Sequence, residues 1–455
     1  MSSNTASISE PGITVSAPDN SNVRWFVCAL LFAATTINYM DRSVFSNIEP
    51  QLHSVAFMGW NNLADKFHQP VFDNNFGNVL IYFQIAYGLG FLFAGRVIDR
   101  LGTKTGYALA IGIWCLSSMS HSLVTSVAGF CIARIFLGLG ESGNFPAAIK
   151  ATTEWFPAEE RAKAVGIFNS GSNVSFFIAL PIINYVTAHS RLGWRAAFLT
   201  TGSLGLVWLI VWMSFPYNRL RRGSTQTQAN LQADFASQTT YGGNIPLSAL
   251  LLRPGTYAFA IAKGLTDGVW WFYLFYLPQF LNRNYGLDTR AAYIFILAVY
   301  VISSVGSIGG GSLSGWLMSR GYSVNGGRKL AMLSMAILVL PLVFVPHMSA
   351  IFPSNPWPAT LLIALAAAAH QGWSANLFST PGDMFPSTAV STIVGIGGAA
   401  GAVGGACFTW VVKRNLSLHQ LLVFSIAAGA YIVALALFHL LVPRLGLPRT
   451  EPNTA

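Results

Sequence analysis

Long apolar segments are the feature that most constrains how this chain folds. Twelve stretches of about 20 or more mostly apolar residues follow one another along the 455 residues, and a helix needs about 20 such residues to span a bilayer. Backbone N–H and C=O groups cannot stay unpaired in lipid, so these segments must be helical. The sequence therefore predicts an all-α integral membrane protein with spans at 24–47, 76–98, 105–122, 125–149, 163–187, 193–215, 255–281, 290–318, 328–346, 357–380, 389–412 and 419–443.

The composition supports the membrane interpretation. Hydrophobic residues make up 53% of the chain and charged residues only 9%, whereas about a quarter of the residues in a soluble domain are charged. The net charge of +10 is dispersed along the chain, which argues against a nucleic-acid-binding surface. The four cysteines lie in apolar runs without metal-ligand spacing, and the sequence has no Gly-x-x-x-x-Gly-Lys-Ser/Thr phosphate loop. Neither a metal centre nor an ATP-driven pump is indicated.

A single long polar interval divides the predicted spans into two groups of six. It covers 216–254 and is interpreted as a linker between a first half at 24–215 and a second half at 255–443, with tails at 1–23 and 444–455. With the N-terminus inside, sixteen Lys and Arg residues fall in inner segments, seven in outer segments and three within spans. The positive-inside rule then places both termini and the linker in the cytoplasm.

Two ionisable residues interrupt the fourth apolar run. Arg134 and Glu141 are seven residues apart, so a helix places them on one face, about 10 Å from each other. Ionisable groups at bilayer depth are costly and persist mainly where they line a cavity, pair or carry protons. The sequence predicts that Arg134 binds an anion and that Glu141 takes a proton. The alternative is that the two residues form a structural ion pair.

A second charged pair, Asp41 and Arg42, ends the first span. The helical rise places Asp41, Arg42 and Arg134 at one level in the outer half of the membrane, with Glu141 deeper, near the midplane. An arginine can hold a carboxylate with two parallel hydrogen bonds. We therefore expect Arg42 and Arg134 to capture an organic anion, Arg42 to be the counter-charge of Asp41 in the empty site, and Asp41 and Glu141 to couple transport to protons.

Further polar residues near the predicted midplane are candidates for substrate contact. Each also has a structural interpretation: asparagines can cross-link helices, a Lys–Asp pair one turn apart can neutralise itself, tryptophans can pack, and an interior histidine can be satisfied rather than pH-sensitive. The candidates are Asn169, Ser172, Asn173, Lys263, Asp267, Trp271, His370, Gln371, Trp373 and Asn376.

The connection between the second and third spans combines a glycine, an acid and several bases. Residues 95–104 read GRVIDRLGTK, and such a turn can form a charge latch between helix ends. We assign the latch to Gly95, Asp99, Arg100, Gly102 and Lys104. A weaker copy at 315–321, GWLMSRG, follows the eighth span and lacks the acid that a latch needs.

The 95–104 loop resembles the signature loop of the major facilitator superfamily, and two six-span halves are similar to its repeat architecture. Other segments resemble the anion:cation symporter family, and within it the bacterial hexuronate transporters: NYMDR (38–42), RIFLGLGESGNFP (134–146), EWFP (154–157), GIFNSG (166–171), DGVWWFY (267–273) and WSANLF (373–378). The resemblance implies a twelve-helix major facilitator fold in the bacterial inner membrane. It also implies that Tyr87 contacts substrate, and the alternative is that Tyr87 is an amphipathic residue at a helix interface.

The predicted function is import of a sugar acid monoanion, such as the hexuronates glucuronate or galacturonate, together with protons by alternating access. Protons are the coupling ion, and we expect no cofactor and no metal. The expected partners are a small organic anion and the lipid bilayer, without nucleic acid, and the protein is expected to be a monomer. Two rivals stay open: a symporter for another organic anion (aldonate, aldarate or aromatic carboxylate), and a membrane enzyme or receptor.

The outer segment at 49–75 is longer than that family leads us to expect. It is predicted to be a solvated loop or short surface helix, and the alternative is a lid or a contact for a partner.

Overall fold

The computed structural model describes residues 21–59, 69–221, 245–415 and 419–446, together with residues 234 and 236. Most of both predicted tails and of the predicted linker therefore lies outside the described residues, as does 60–68 of the predicted outer segment. In the described part the chain is helical and has no strand. The boundaries of the predicted domains stay predictions.

Thirteen long helices occupy the positions of the twelve predicted spans in the described part of the chain. They are α1 (Ser21–Asn47), α2 (Gln69–Leu101), α3 (Thr103–Ser120), α4 (Val127–Glu141), α5 (Asn144–Trp155), α6 (Ala158–His189), α7 (Trp194–Ser214), α8 (Pro254–Tyr285), α9 (Thr289–Ser319), α10 (Val324–Val339), α11 (Trp357–Met384), α12 (Ser387–Asn415) and α13 (Gln420–Leu441). Shorter helices cover Glu49–Leu52, Ala56–Met58, Tyr217–Arg221, Leu247–Leu251, Leu340–Phe344 and Val345–Ile351.

Eight of these helices, within the described residues, are long and apolar enough to cross a membrane by length and composition. They are α1, α2, α6, α7, α9, α10 with its continuation to Ile351, α12 and α13. We call α1–α7 the first half and α8–α13 the second half.

The fourth predicted span is not one helix, and this part of the prediction is wrong. α4 ends at Glu141, a turn covers residues 142–143, and α5 begins at Asn144. Pro146 has no N–H with which to bond the carbonyl four residues earlier, so an uninterrupted helix would lose a hydrogen bond there, whereas proline is tolerated in a first turn. The break places Glu141 at a helix end beside the centre of the molecule.

Glycines let the two halves meet at the end of the molecule where α1 begins and α13 ends, which we call the terminal end. A Cβ added at Gly95 of α2 would collide with the carbonyl oxygen of Ser391 in α12. A Cβ at Gly311 of α9 would collide in the same way with the carbonyl of Ala162 in α6. Small residues permit this backbone contact, and the halves are therefore closed against each other at the terminal end.

At the opposite end, the described part of the 49–75 segment packs against helix ends. Its short helices bury Leu52 and Met58 in a hydrophobic cluster that also contains Phe72 and Phe130. The ring of His53 stacks on Phe72 with centroids 4.0 Å apart. The prediction of short helices is confirmed here, whereas the alternative of a solvated loop is wrong for these residues, because their apolar side chains cover the ends of α2 and α4.

Candidate functional site

A cavity of about 510 Å³ lies between the two halves, and both contribute to its walls. Eleven of the thirteen residues predicted to bind substrate line it: Arg42, Tyr87, Arg134, Asn169, Ser172, Asn173, Lys263, Asp267, Trp271, His370 and Gln371. Ser43, Ser46 and Asn47 near the end of α1 also line it, so the cavity extends toward the end opposite the closed terminal end. Their short polar side chains carry no sequence pattern that separates them from ordinary helix-end residues.

The other two predicted residues, Trp373 and Asn376, do not line the cavity. The Nδ2 of Asn376 donates to the carbonyl oxygens of Gly310 at 2.7 Å and Gly372 at 2.9 Å, and Trp373 packs edge-on against Tyr431. The helical period explains this difference, because one face of α11 is turned to the cavity. That face carries His370, Gln371, Ser374 and Phe378.

Arg42 pairs with Glu141. Its Nε donates to Oε2 of Glu141 at 2.9 Å, and the side chain of Arg42 is 18% exposed whereas that of Glu141 is 0% exposed. The guanidinium carbon lies 4.3 Å from the ring centroid of Tyr87 and 4.7 Å from that of Tyr39. The expected pairing of Arg42 with Asp41 is therefore wrong, because the long arginine side chain reaches the deeper carboxylate.

Asp41 turns toward α3 instead of the cavity. Its Oδ1 accepts a hydrogen bond from the Ser118 hydroxyl at 2.7 Å, and its fully buried Oδ2 has no hydrogen-bond partner. Adjacent residues of a helix point about 100° apart, so Asp41 and Arg42 face different neighbours. Ser118 is a contact that spacing in the sequence did not reveal.

Arg134 presents unpartnered donors in a buried position. The residue is 1% exposed, its Nε and Nη2 have no hydrogen-bond partner, and it forms no ion pair with another described residue. The ring of Phe45 lies under the guanidinium with 4.5 Å between the guanidinium carbon and the centroid. The structural ion pair of Arg134 with Glu141 is therefore absent. A buried arginine without a counter-charge is costly, so this position suits an incoming anion.

The wall from the second half contains its own ion pair. Nζ of Lys263 lies 2.7 Å from Oδ1 of Asp267, one turn further along α8. The same ammonium sits 4.0 Å from the ring centroid of Phe378. His370 is also satisfied, since its Nδ1 lies 2.6 Å from the Tyr431 hydroxyl and its ring stacks on Trp270. Lys263 and His370 thus have partners within the protein, as the structural interpretation predicts, and they also line the cavity.

A hydrogen bond between the halves crosses the cavity wall. Nδ2 of Asn169 in α6 donates to Oε1 of Gln371 in α11 at 2.6 Å, and the Ser172 hydroxyl donates back to the carbonyl of Asn169. Asn173 lines the same cavity, and both its amide nitrogen and its amide oxygen are buried without partners. It therefore offers one donor and one acceptor to a bound molecule.

At the terminal end, Asp99 of the predicted latch joins both halves. Its Oδ1 accepts from Nζ of Lys150 at 2.8 Å, and its Oδ2 accepts from the N–H and the hydroxyl of Thr392 at 2.7 and 2.6 Å. α2 and α5 of the first half are thereby tied to α12 of the second.

Gly95 of the predicted latch meets α12 of the second half, whereas Gly102 and Lys104 make their contacts within the first half. Lys104 donates to the carbonyls of Met213 and Phe215, both at 2.9 Å. Gly102 precedes α3 with φ of 80°, a conformation that glycine adopts without strain. Arg100 forms no ion pair with another described residue.

A second acid at the terminal end was missed in the sequence. Asp383 of α11 lies between two arginines: Oδ1 accepts from Nη1 of Arg161 in α6, and Oδ2 accepts from Nε of Arg328 in α10 at 2.9 Å. Arg328 also donates to the Ser314 hydroxyl at 2.7 Å. The acid that the 315–321 copy lacks is thus supplied from another helix.

Two helical halves around a central cavity that contains charged and polar side chains are typical of a membrane transporter. The family model of the Major Facilitator Superfamily matches residues 31–409, and the chain belongs to this superfamily. It is therefore a multi-pass membrane protein with the twelve-helix fold and a transporter, not an enzyme.

Two relatives and one solved structure show which members of the superfamily this chain is similar to. The chain is 28% identical over 397 residues to a hexuronate transporter of Escherichia coli (strain K12), covering 86% of this chain and 87% of the relative. It is 28% identical over 326 residues to a galacturonate transporter of Dickeya chrysanthemi, covering 70% of this chain and 89% of the relative. The proton:xylose symporter XylE superposes with a TM-score of 0.75 at 16% identity, over 94% of this chain and 97% of that one. This last likeness concerns the fold alone.

Proposed function

We propose that this protein is a proton-coupled symporter that imports a sugar acid monoanion, a hexuronate such as glucuronate or galacturonate. The observation that carries the proposal is the buried guanidinium of Arg134, whose Nε and Nη2 have no partner, beside the Arg42–Glu141 pair. A planar guanidinium matches a carboxylate with two hydrogen bonds. The names of the relatives support a sugar acid as the source of that carboxylate.

The rest of the cavity suits the hydroxylated part of such a molecule. Asn173 has an unpartnered donor and an unpartnered acceptor, and Gln371 and Ser374 line the opposite wall. Tyr87 and Trp271 supply aromatic surface on the two sides. A polyhydroxylated ring needs this mixture, because each hydroxyl that leaves water has to regain a hydrogen bond.

The charges around the cavity support coupling to protons. Four charged residues line it: Arg42, Arg134, Lys263 and Asp267. Two acids lie behind its wall, Glu141 bonded to Arg42 and Asp41 bonded to Ser118. The formal charges of these six residues sum to zero when all are ionised. A bound monoanion leaves one uncompensated negative charge in a poorly solvated space, which is costly. One proton, on Glu141 or Asp41, removes that charge. The proposed stoichiometry is one proton for each monoanion.

The excess of Lys and Arg in the inner segments supports an orientation with the terminal end toward the cytoplasm. The names of the bacterial relatives support a bacterial inner membrane as the location. The structure then corresponds to a carrier closed on the cytoplasmic side, and transport requires rocking of the halves about the cavity. Because both halves that line the cavity belong to the same chain, one chain can form a whole site, and we propose a monomer as the working unit.

Uptake into proteoliposomes tests the proposal. Purified protein is reconstituted, an outside-acidic pH gradient is imposed, and labelled glucuronate and galacturonate are offered in competition with an aldonate, an aldarate and an aromatic carboxylate. We expect a hexuronate to accumulate and a protonophore to abolish the accumulation. Accumulation that survives the protonophore contradicts proton coupling. A stronger competition by the aldonate, aldarate or aromatic carboxylate favours the other organic-anion symporters instead.

A further inference from the structure

The Lys263–Asp267 pair is built into the cavity wall. Lys263 is 5% exposed, its ammonium bonds Oδ1 of Asp267 at 2.7 Å, and the ring of Phe378 covers another side of it at 4.0 Å. Both charged residues line the same cavity as Arg42 and Arg134. The ammonium is therefore held at the cavity, with its charge offset by a neighbour on its own helix.

The backbone of α12 makes room for this arrangement. A Cβ added at Gly401 would collide with Oδ2 of Asp267, so a side chain there would push the carboxylate out of its present position. Glycine at this place permits close approach of α8 and α12, and it also permits the carboxylate to reach Lys263. The pair thus depends on a position in a second helix.

The pair leaves the two walls of the cavity with different charge. The wall from the first half presents Arg134, which has unpartnered donors. In the wall from the second half, the Lys and Asp residues that line the cavity are Lys263 and Asp267 alone, as far as the described residues go, and they cancel. A sugar acid with one carboxylate finds a cationic site on one wall and neutral groups on the other. A second carboxylate at the far end of the molecule would meet Asp267.

We propose that Asp267 determines charge selectivity: by neutralising Lys263 it admits sugar acids with one carboxylate and excludes those with two. This inference rests on the proposed function and deepens it. Replacing the carboxylate of Asp267 by an amide leaves Lys263 without its counter-charge and available to a second carboxylate. The formal charge of the cavity rises by one, and a bound dianion restores the total that a monoanion gives in the unaltered protein.

The test uses two linear six-carbon sugar acids that differ at one end, galactonate with one carboxylate and galactarate with two. Both compete against labelled substrate for the purified full-length protein in detergent, so the readout does not depend on proton coupling. We expect the unaltered protein to prefer galactonate by about tenfold or more, which corresponds to about 1.4 kcal/mol. Asp267→Asn should shift the ratio toward galactarate by at least about tenfold.

The double variant Asp267→Asn/Lys263→Met tests whether the Lys263 ammonium causes the shift toward galactarate. We expect the shift to vanish in it, because the gained affinity for the second carboxylate requires the ammonium. An unchanged ratio in Asp267→Asn, or a shift that persists in the double variant, overturns the inference. Equal affinity of the unaltered protein for both acids overturns it too and leaves the proposed function standing, whereas binding of no sugar acid contradicts both.

A second variant decides the question if Asp267→Asn does not fold. Gly401→Ala retains both charges but displaces the carboxylate, and we expect a shift toward galactarate in the same direction and smaller in size. The matched control is Gly429→Ala on α13, where an added Cβ meets nothing within 4 Å, and it should leave the ratio unchanged. A Gly401→Ala ratio equal to that of the control overturns the inference.

Discussion

Replacement of Glu141 by glutamine separates substrate binding from proton coupling. The carboxylate is fully buried and accepts a 2.9 Å hydrogen bond from Arg42. Glutamine retains the shape and an acceptor oxygen but can neither carry a charge nor bind a proton. The variant therefore mimics the protonated carrier at all pH values.

The magnitude of the coupling defect follows from the charge balance of the cavity. With one proton for each monoanion the proposed symport is electroneutral, so each unit of pH difference sustains about tenfold accumulation, or about 1.4 kcal/mol. For this prediction we assign the coupled proton to Glu141 and not to Asp41, so the substitution abolishes the driving force, and the variant equilibrates substrate to equal concentrations on both sides. We expect accumulation to fall from about tenfold per pH unit to none.

Binding should respond in the opposite direction. In the unaltered protein Glu141 competes with the substrate carboxylate for Arg42, and two unit charges 4 Å apart interact by about 4 kcal/mol at an effective dielectric constant of about 20. Arg42 is partly open to the cavity, where water screens this interaction. We therefore expect the affinity of Glu141→Gln for a monoanion to rise by several-fold at neutral pH.

The assay compares counterflow with pH-driven uptake in the same proteoliposomes. Counterflow requires binding and movement of the halves, so Glu141→Gln should retain it. The control is Glu160→Gln, which changes an acid on the terminal end that pairs with Arg24 at 3.0 Å and is partly exposed; pairs of this kind contribute little, so uptake should be unaffected. If Glu141→Gln accumulates substrate like the control, Glu141 does not carry the coupled proton.

Three further substitutions test other parts of the site. Arg134→Lys should weaken anion binding by about tenfold or more, because a point charge replaces a planar fork; an unchanged dissociation constant by calorimetry would exclude Arg134 from anion capture. Asp383→Asn leaves two buried arginines without a counter-charge, at a cost of about 3–5 kcal/mol, and should speed labelling of a cysteine introduced at Ala162 where the halves meet. Gln371→Leu removes the bond to Asn169 and should weaken binding of sugar acids but not of an unhydroxylated carboxylate, and equal weakening of both would contradict a role in reading hydroxyls.

The architecture was largely predictable because hydropathy is a property of each segment alone. Each of the twelve predicted apolar runs coincides with helix in the structure. The observed helix starts lie within a few residues of the predicted ones except for α2, which begins at Gln69, whereas the prediction begins at 76. The extra turns of α2 carry the exposed residues Asp73 and Asn74, and Asn75, whose Nδ2 donates to the carbonyl of Met58 at 3.2 Å. Such polar residues lower the mean hydropathy, so the apolar run begins later than the helix. The break between Glu141 and Asn144 was missed for a similar reason, since one proline barely changes an apolar average.

Positions on the cavity were predictable, but side-chain partners were not. Periodicity places residues on a helix face, and it brought most of the predicted residues to the cavity. It does not say how far a long side chain reaches, so Arg42 was assigned to its neighbour in sequence when its hydrogen bond goes to Glu141. The partners of Asp383 are likewise far apart in the chain, Arg161 being 222 residues away, and one sequence holds no sign of such a meeting.

The two acids at the terminal end show how closure depends on both halves. Asp99 belongs to the first half and bonds Thr392 of the second, whereas Asp383 belongs to the second half and bonds Arg161 of the first. Each half thus gives one acid to the other, and separating the halves exposes both acids at once. Because the Arg161–Asp383 ion pair and the Asp99–Thr392 hydrogen bonds are lost together when the halves separate, opening of this end is costly unless equivalent contacts form at the opposite end. The cavity lies between the two ends. A bound ligand shifts the equilibrium between the form closed at the terminal end and the form closed at the opposite end only by its difference in affinity for these two forms. In the proposed mechanism, a carrier loaded with a monoanion and a proton is neutral and changes conformation without stranding a charge. That mechanism would link the charge balance at Glu141 to the closure at Asp99 and Asp383.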